Sequence, residues 1–339
     1  MGELREVGAA ERLAGEEEPV ADETRPAVLD SGQRIEGDFS IRSLDQALAE
    51  SDVEGAMSIA IETDPELLRA HLADGTFDPN LRLRGSGDYY ELPLEKAVRQ
   101  GAPGTVEILL AAVADPNGQD ASRGSALDSA AYQGGVDLVR RLLEAGADPN
   151  LAGGDDRRAI EMAAFQGHLE VVRALLDGGA ELHFALHSAS HSGNLELVEA
   201  LLAAGANARA STQFGESAMR GAAGKGHLDI VETLLAAGTK PCELALREAS
   251  QFGRVEVLRA IGRAGVRFDT PPTQWDPLYT AAYHGQAETV RVLVELGASP
   301  SGYSLDAPAY PDYPRTALEV ARQEGHAEVV IVLESLGGR

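Results

Sequence analysis

The sequence has little of several residue types, and each shortage excludes a class of protein. A single cysteine, Cys242, leaves no internal disulfide possible in a chain of 339 residues. Aromatic residues make up only 5% of the chain, too few for one core filled by bulky rings. No stretch approaches the roughly 18 apolar residues of a membrane-spanning helix, and no basic segment followed by an apolar one opens the chain. We therefore expect a cytoplasmic protein without a membrane partner.

Basic residues are also scarce. The chain has 29 lysines and arginines against 54 acids, and its formal charge of -25 would repel the phosphates of a nucleic acid. Only three of the basic residues are lysines, and this arginine bias, with abundant alanine and glycine, favours a bacterial source. Residues 1–40 hold 11 acids and four arginines without sustained periodicity, which predicts a disordered acidic tail before a folded domain at 41–339.

What the chain does contain is a repeated pattern of two short helices. In the segment 125–150, SALDSAAYQGGVDLVRRLLEAGADPN, Leu127, Ala130 and Ala131 share one face of a first helix that Gly134 ends. A second helix with a stripe of leucine and valine follows over 138–143. Neither helix is long enough to be stable alone, so stability must come from stacking one unit on the next.

The glycine that ends the first helix recurs, most often after 33 residues. Its positions are Gly101, Gly134, Gly167, Gly193, Gly226, Gly253, Gly285 and Gly325. The segments RAIEMAAFQGH at 158–168 and SAMRGAAGKGH at 217–227 follow the pattern TPLH-x-AA-x-x-GH, and LL-x-x-GA-x-x-N ends the unit at 142–150. In these motifs the chain resembles the ankyrin-repeat family. The resemblance implies an all-α solenoid of about nine helix-turn-helix repeats with β-turn fingers: a divergent cap repeat at about 44–80, then eight clear repeats.

Three spacings depart from the period. The glycines at 167 and 193 are 26 residues apart and those at 226 and 253 are 27 apart, so two fingers, around 181–184 and 239–243, should be missing. The 40 residues from Gly285 to Gly325 predict an enlarged finger at 301–315, stiffened by three prolines. The tyrosines of this finger are Tyr303, Tyr310 and Tyr313. A smaller insertion lies at 81–92.

The resemblance also implies where a partner would bind, because in the family the residues just before the first-helix glycine face a concave groove. Here those positions are rich in rings, and all eight tyrosines and the single tryptophan lie in first helices or fingers. The candidate anchors are Tyr132, Phe165, His191, Phe252, Tyr283, His284, Trp275 and the three finger tyrosines. Large exposed rings are typical of binding hot spots. We expect a monomeric, non-catalytic scaffold that binds another protein. The alternative is that the second helices need leucine and valine for stacking, so that the rings lie in first helices and fingers without any role in binding.

A second candidate is the column of residues at the TPLH histidine position. It consists of Glu95, Asp128, Glu161, His187, Arg220, Arg247, Tyr279 and Glu319 in successive repeats. One interpretation is a ladder of ion pairs that holds repeats together. The other is a small-molecule or catalytic pocket, in which Glu161 or His187 moves a proton while Arg220 and Arg247 hold an anion. A third possibility is that the acidic tail folds back onto the two arginines.

Familiar catalytic and metal motifs are missing from the sequence. The spacing of His183, His187 and His191 would align three imidazoles on a helix, but no cysteine or acid stands beside them at a ligand spacing. There is no phosphate-binding GxxxxGK[ST], GxSxG, HExxH or CxxC. We expect no metal, no cofactor and no enzymatic activity, and we expect Cys242 to be a small buried residue.

Overall fold

The structure, a computed structural model, describes residues 44–84, 89–154, 156–182, 184–211, 217–268, 276–301 and 316–338. The predicted acidic tail at 1–40 and most of the predicted enlarged finger lie outside these ranges. In the described ranges the chain forms nineteen helices and one pair of short strands. The helices are α1 Leu44–Ala49, α2 Val53–Thr63, α3 Pro65–Ala73, α4 Pro93–Arg99, α5 Pro103–Ala111, α6 Ala126–Gln133, α7 Val136–Glu144, α8 Ala159–Gln166, α9 Leu169–Asp177, α10 Ala185–Ser192, α11 Leu195–Ala203, α12 Ala218–Lys225, α13 Leu228–Ala236, α14 Glu243–Gln251, α15 Val255–Arg263, α16 Pro277–Tyr283, α17 Ala287–Glu295, α18 Ala317–Gln323 and α19 Ala327–Ser335.

From α2 onward the helices form nine consecutive pairs, and each pair packs on the next. First helices contact first helices from α4 through α18, and second helices contact second helices, as α7 does α9 and α13 does α15. Because each unit contacts its neighbours, the apolar core is one continuous strip along the stack. The prediction of about nine repeats is confirmed.

Residue size decides how the two layers pack. First helices bury alanines, such as Ala130 and Ala131 in α6, and these let neighbouring helix backbones approach closely. Second helices bury leucines and valines, such as Leu142 in α7 and Leu175 in α9. Burying each large aliphatic side chain contributes roughly 1.5 to 3 kcal/mol. This layer therefore supplies much of the stabilising free energy of a chain with few aromatics.

The recurrent glycine adopts the left-handed conformation expected where the first helix ends. All eight first-helix glycines have φ between 65° and 87°, in the left-handed region. Here the chain reverses so that the next helix can pack back on the first, and a side chain would be strained. At Gly134 a Cβ would also lie 2.7 Å from the His168 ring.

The connections between pairs vary in length as predicted. Seven residues join α9 to α10 and six join α13 to α14, against 14 between α7 and α8, which confirms the two missing fingers. Isolated antiparallel bridges close ordinary fingers at Gln119 and Ser125 and at Ser211 and Ser217. The insertion before α4 forms the strand pair β1 Leu83–Arg84 and β2 Tyr90–Glu91. Between α17 and α18 lies the longest connection, at 296–316.

An asparagine at the end of three successive units joins one unit to the next. The Asn150 amide group donates to Gly179 O at 3.0 Å, while its Oδ1 accepts from Glu181 N at 2.8 Å. Asn117 makes the same two contacts one repeat earlier, and Asn80 makes them two repeats earlier. These bonds fix the spacing of neighbouring second-helix ends, where backbone groups would otherwise lack partners.

Candidate functional site

The predicted anchors that the structure describes lie at the two positions before the first-helix glycine in five of the repeats. We call the set the first-helix row, and it consists of Tyr132, Phe165, His191, Phe252, Tyr283 and His284. Phe165 is 38% exposed, Phe252 50% and Tyr283 40%, and within the described part of the chain they are the only aromatic residues among the exposed large apolar side chains. Tyr132 and His191 are half-buried, and His284 is exposed. Trp275, Tyr303, Tyr310 and Tyr313 lie outside the described residues.

Rings of the first-helix row contact one another and nearby side chains. The Phe165 and His191 rings stack with their centroids 6.0 Å apart and planes at 27°. The Tyr283 and His284 rings meet edge to face at 5.0 Å. The Arg254 guanidinium lies over the Phe252 ring at 6.0 Å. These contacts limit the rotamers of exposed side chains, so less entropy is lost when such a surface binds.

Polar side chains just after the recurrent glycine hold the first helices in register. The imidazole N–H of His168 donates to Tyr132 O at 3.1 Å, and that of His326 donates to Tyr283 O at 2.9 Å. The Asn194 amide group donates instead to Gly167 O at 3.2 Å, two residues after Phe165. The position after the recurrent glycine can be located in the sequence, but the carbonyl groups that these side chains bind can be identified only from the structure. Each bond fixes the backbone that carries a member of the first-helix row.

The predicted polar column is occupied by contacts between repeats. His187 Nδ1 lies 3.0 Å from Ser217 O, and Arg220 Nε donates to Glu248 Oε1 at 2.7 Å. Glu161 is buried. Because His187 and Arg220 each bind a group on the following repeat, these contacts serve to connect repeats. Whether the column also binds a ligand stays a prediction.

A cluster of carboxyl groups beside the strand pair was not predicted as a unit. The Tyr89 hydroxyl donates to Asp120 Oδ2 at 2.5 Å, and burial, with this bond and the nearby acids, raises the pKa of Tyr89 to about 12. Burial, then the charge of Asp120, raises the pKa of Glu95 to about 8. Burial also raises the pKa of Asp128 to about 6, against hydrogen bonds from Ser125. No sequence pattern links these residues, because they come from an insertion, a finger and two helices.

Cations border the same cluster. Lys96 Nζ lies 2.7 Å from Glu62 Oε1 and 3.5 Å from Glu91 Oε1, and Arg99 pairs with Glu91 and, at 3.5 Å, with Glu95. Pairing with these cations stabilises a buried carboxylate such as Glu91, whereas Glu95, with a pKa of about 8, keeps its proton near neutral pH. The arrangement joins α2, β2 and α4, so it stabilises the early part of the stack.

Two cavities open on the described surface. The first, about 270 Å³, lies where α10, α12 and α14 meet. Its lining is His191, Gly221, Gly224, Lys225, Glu248, Phe252 and Arg254. The second, about 430 Å³, lies beside the missing finger before α14. Its lining is Ala208, Arg209, Ser211, Ser217, Thr239, Lys240, Cys242 and Leu244. The first cavity includes two members of the first-helix row, and neither includes Glu161 or Arg247.

Several further predictions can be compared with the structure. Cys242 is exposed, so the expectation that it is buried is wrong; it caps the N-terminus of α14 directly after a short connection, ahead of the first helical turn. His183 lies outside the described residues, and the His187 and His191 rings are 6.1 Å apart. Among the side chains that the structure describes, no three His, Cys, Asp or Glu are grouped to hold a metal. No helix in the described ranges is long and apolar enough to cross a bilayer.

Comparisons with known proteins identify the repeats. Residues 94–185 and 160–245 match the family of ankyrin repeats, in three copies. Among solved structures, the human ASB11 ankyrin repeat domain is similar, with a TM-score of 0.53 and 25% sequence identity over 64% of this chain and 99% of that domain. A search of curated proteins gives no match. The predicted all-α ankyrin-repeat solenoid is confirmed.

Proposed function

We propose that this stack of ankyrin repeats is a non-catalytic scaffold that binds another protein through the first-helix row. The observation that carries the proposal is the exposure of Phe165, Phe252 and Tyr283, each one or two residues before the first-helix glycine of a different repeat. A soluble surface gains nothing from regularly placed exposed rings, whereas a protein partner can bury them. Repeats of this kind typically serve as protein-interaction scaffolds, which agrees with the surface.

The row is suited to binding because it is already ordered. Bonds such as His168 to Tyr132 O fix the backbone, and ring contacts such as Phe165 to His191 restrict the side chains. A partner would therefore meet a surface that loses little conformational entropy. Aromatic anchors of this kind dominate the binding free energy of many interfaces.

The opposite side of the stack has the character of an ordinary solvated surface. The exposed acids of the second helices include Asp137, Glu144, Glu170, Glu196, Glu199, Asp229 and Glu232. Exposed acids without large apolar neighbours keep a protein soluble and contribute little to an interface core. These side chains therefore supply the matched control for a test of the row.

The proposal is tested by replacing Tyr132, Phe165 and Tyr283 together by Ala and comparing the proteins captured from cells that express the chain. We expect mass spectrometry to find a protein enriched by the wild type and lost by this triple variant. A control with Asp137, Glu170 and Glu199 replaced by Ala should retain it. If the two triple variants capture the same proteins, and circular dichroism shows both folded, the row is not the binding surface.

The alternative of a small-molecule or catalytic pocket has less support. His187 and Arg220 already bind groups of the following repeat, and the cavity at α10, α12 and α14 does not include Glu161 or Arg247. A nucleic acid is disfavoured as partner by the charge of -25. A monomeric state, a cytoplasmic location and the absence of a cofactor belong to the same proposal.

A further inference from the structure

We propose that the cavity between α10, α12 and α14 receives one aromatic side chain from an acidic segment of the partner protein. The inference rests on the proposed function and adds to it the chemistry of the partner at one place in the first-helix row.

The cavity exists because the row is interrupted by glycine. Repeats before and after α12 place Tyr132, Phe165 and Tyr283 in the row, but α12 places Gly224 in a comparable position, so a ring is missing there. One turn earlier, Gly221 lets α12 approach α10 closely, since a Cβ at this residue would lie 3.3 Å from the His191 backbone. The result is a recess with a backbone floor.

The walls of the recess are rings. His191 from α10 borders one side and Phe252 from the end of α14 borders another. His191 is in turn stacked on Phe165, which limits its movement. A guest ring can meet wall rings edge to face or offset, which contributes about 0.5 to 1.5 kcal/mol beyond the area it buries. An aromatic side chain therefore fits this lining better than a polar one.

The size of the recess favours a side chain over a free ligand. Its volume is about 270 Å³. Sites for small molecules usually enclose roughly 300 to 1,000 Å³ and bury most of the ligand. A shallow recess below that range suits a single large side chain delivered by a polypeptide, with flanking residues of the partner resting on the rim.

The rim carries positive charge that is not neutralised. Lys225 is exposed, and Arg254 donates to Gly224 O and lies over the Phe252 ring. Within the described residues neither cation has a carboxylate partner, whereas Arg220 nearby is paired with Glu248. Acidic residues on both sides of the inserted ring would complement these two cations.

The net charge of the whole chain does not remove this local preference. Charges separated by more than about 8 Å are largely screened at physiological ionic strength. An acidic segment seated on the rim therefore interacts mainly with Lys225 and Arg254, although the chain carries a charge of -25. At low salt the same segment would be repelled over longer distances, so affinity should be measured at about 0.15 M.

The test uses the full chain and a random peptide library displayed on phage. We expect selected peptides to share one Phe, Tyr or Trp flanked by Asp or Glu. A synthetic consensus peptide should then bind the wild type in a fluorescence anisotropy titration. Lys225→Glu should raise its Kd about tenfold, because the charge on the rim is reversed. Arg140→Glu, the same charge change at an exposed position of α7, should leave the Kd within about twofold.

A second pair of variants tests the recess itself. Gly224→Leu fills the space and should abolish binding; a Cβ there lies 2.6 Å from Glu248 Oε2, so the Glu248 carboxylate, which accepts a hydrogen bond from Arg220, must shift to admit the new side chain. Gly104→Leu, at a glycine of α5 with open space around it, is the control and should bind normally. Thermal melting of all four variants identifies any that fails to fold. If Gly224→Leu does not fold, Lys225→Glu still tests the inference, because Lys225 is exposed and its replacement should leave the fold intact.

Other outcomes overturn the inference without touching the proposed function. Selected peptides that are basic, or that lack an aromatic residue, would refute the assigned chemistry even if the Tyr132, Phe165 and Tyr283 triple variant loses its protein partner. Equal binding by the Gly224→Leu and Gly104→Leu variants would show that the recess is not used. If a natural partner is captured and no peptide is selected, the recess inference fails and the scaffold proposal stands.

Discussion

Glu95 lies within the stack with 5% of its surface exposed, and burial is the main cause that raises the pKa of its carboxyl from 4.5 to about 8. Between these values the folded state holds a proton that the unfolded state has released, so the free energy of unfolding falls as pH rises, by at most about 1.4 kcal/mol per pH unit. We expect Glu95→Gln, neutral at every pH, to lose this part of the pH dependence and to be more stable than the wild type above about pH 8.

Urea midpoints of wild type and variant at about pH 5.5 and pH 8.5 measure the effect, because the two pH values lie within and above the window. All other groups are the same in the two proteins, so the difference between them isolates Glu95. Glu199→Gln, at an exposed position of α11, should differ from the wild type by the same amount at both pH values. A Glu95→Gln difference that does not change with pH would contradict the assigned pKa.

The left-handed glycines make a second prediction for single residues. Gly134 has φ of 79°, and a Cβ there meets the His168 ring, so we expect Gly134→Ala to destabilise the chain by at least about 1 kcal/mol. Gly104 is in helix α5, where an added Cβ would meet no other residue within 4 Å, and Gly104→Ala should stabilise by about 0.5 to 1 kcal/mol. Thermal melting of both variants should therefore give shifts of opposite sign.

Short connections between helix pairs depend on the asparagine bonds. Asn150→Ala leaves Gly179 O and Glu181 N without their side-chain partner, and we expect the free energy of unfolding to fall by about 1 kcal/mol. Hydrogen exchange at the Glu181 amide should accelerate, because its acceptor is removed. Asn207→Ala is the comparison, since the Asn207 side chain accepts from Arg209 N in its own turn and, among the described residues, bonds no group of the next repeat. Unchanged exchange at Glu181 would show that the bond does not form in solution.

The same elements show what sequence can and cannot predict here. Gly134 and Gly167 could be placed because a backbone reversal requires glycine, and the short connections before α10 and α14 followed from spacing alone. The rings of the first-helix row could be located in the sequence because they stand one or two residues before such glycines. The recess at Gly224 could not, because it is a property of three neighbouring helices. The cluster of Glu95 and Asp120 joins residues brought together by an irregular insertion, which no period describes.

Along the whole stack, each repeat packs mainly on its two neighbours. Destabilising one repeat should therefore affect nearby repeats most and distant repeats least. Leu175 of α9 is fully buried, and Leu175→Ala should cost about 2 to 5 kcal/mol by leaving a cavity. We expect hydrogen exchange to accelerate most in α8 to α11 and least in α16 to α19. Asp177→Ala, exposed at the end of α9, should change stability by less than about 0.5 kcal/mol.

The alternative for Leu175→Ala is an equal acceleration in every helix, which would mean that the stack unfolds in a single cooperative step. The two outcomes bear on binding as well. If repeats loosen separately, a weakened α9 repeat disturbs Phe165 and His191 but leaves Tyr283 in place, because Tyr283 is held by its own repeat and by His326. Binding would then weaken in steps as successive repeats are damaged. A single cooperative stack would instead lose the whole row at once, so exchange profiles and Kd values measured on the same Leu175→Ala variant separate the two cases.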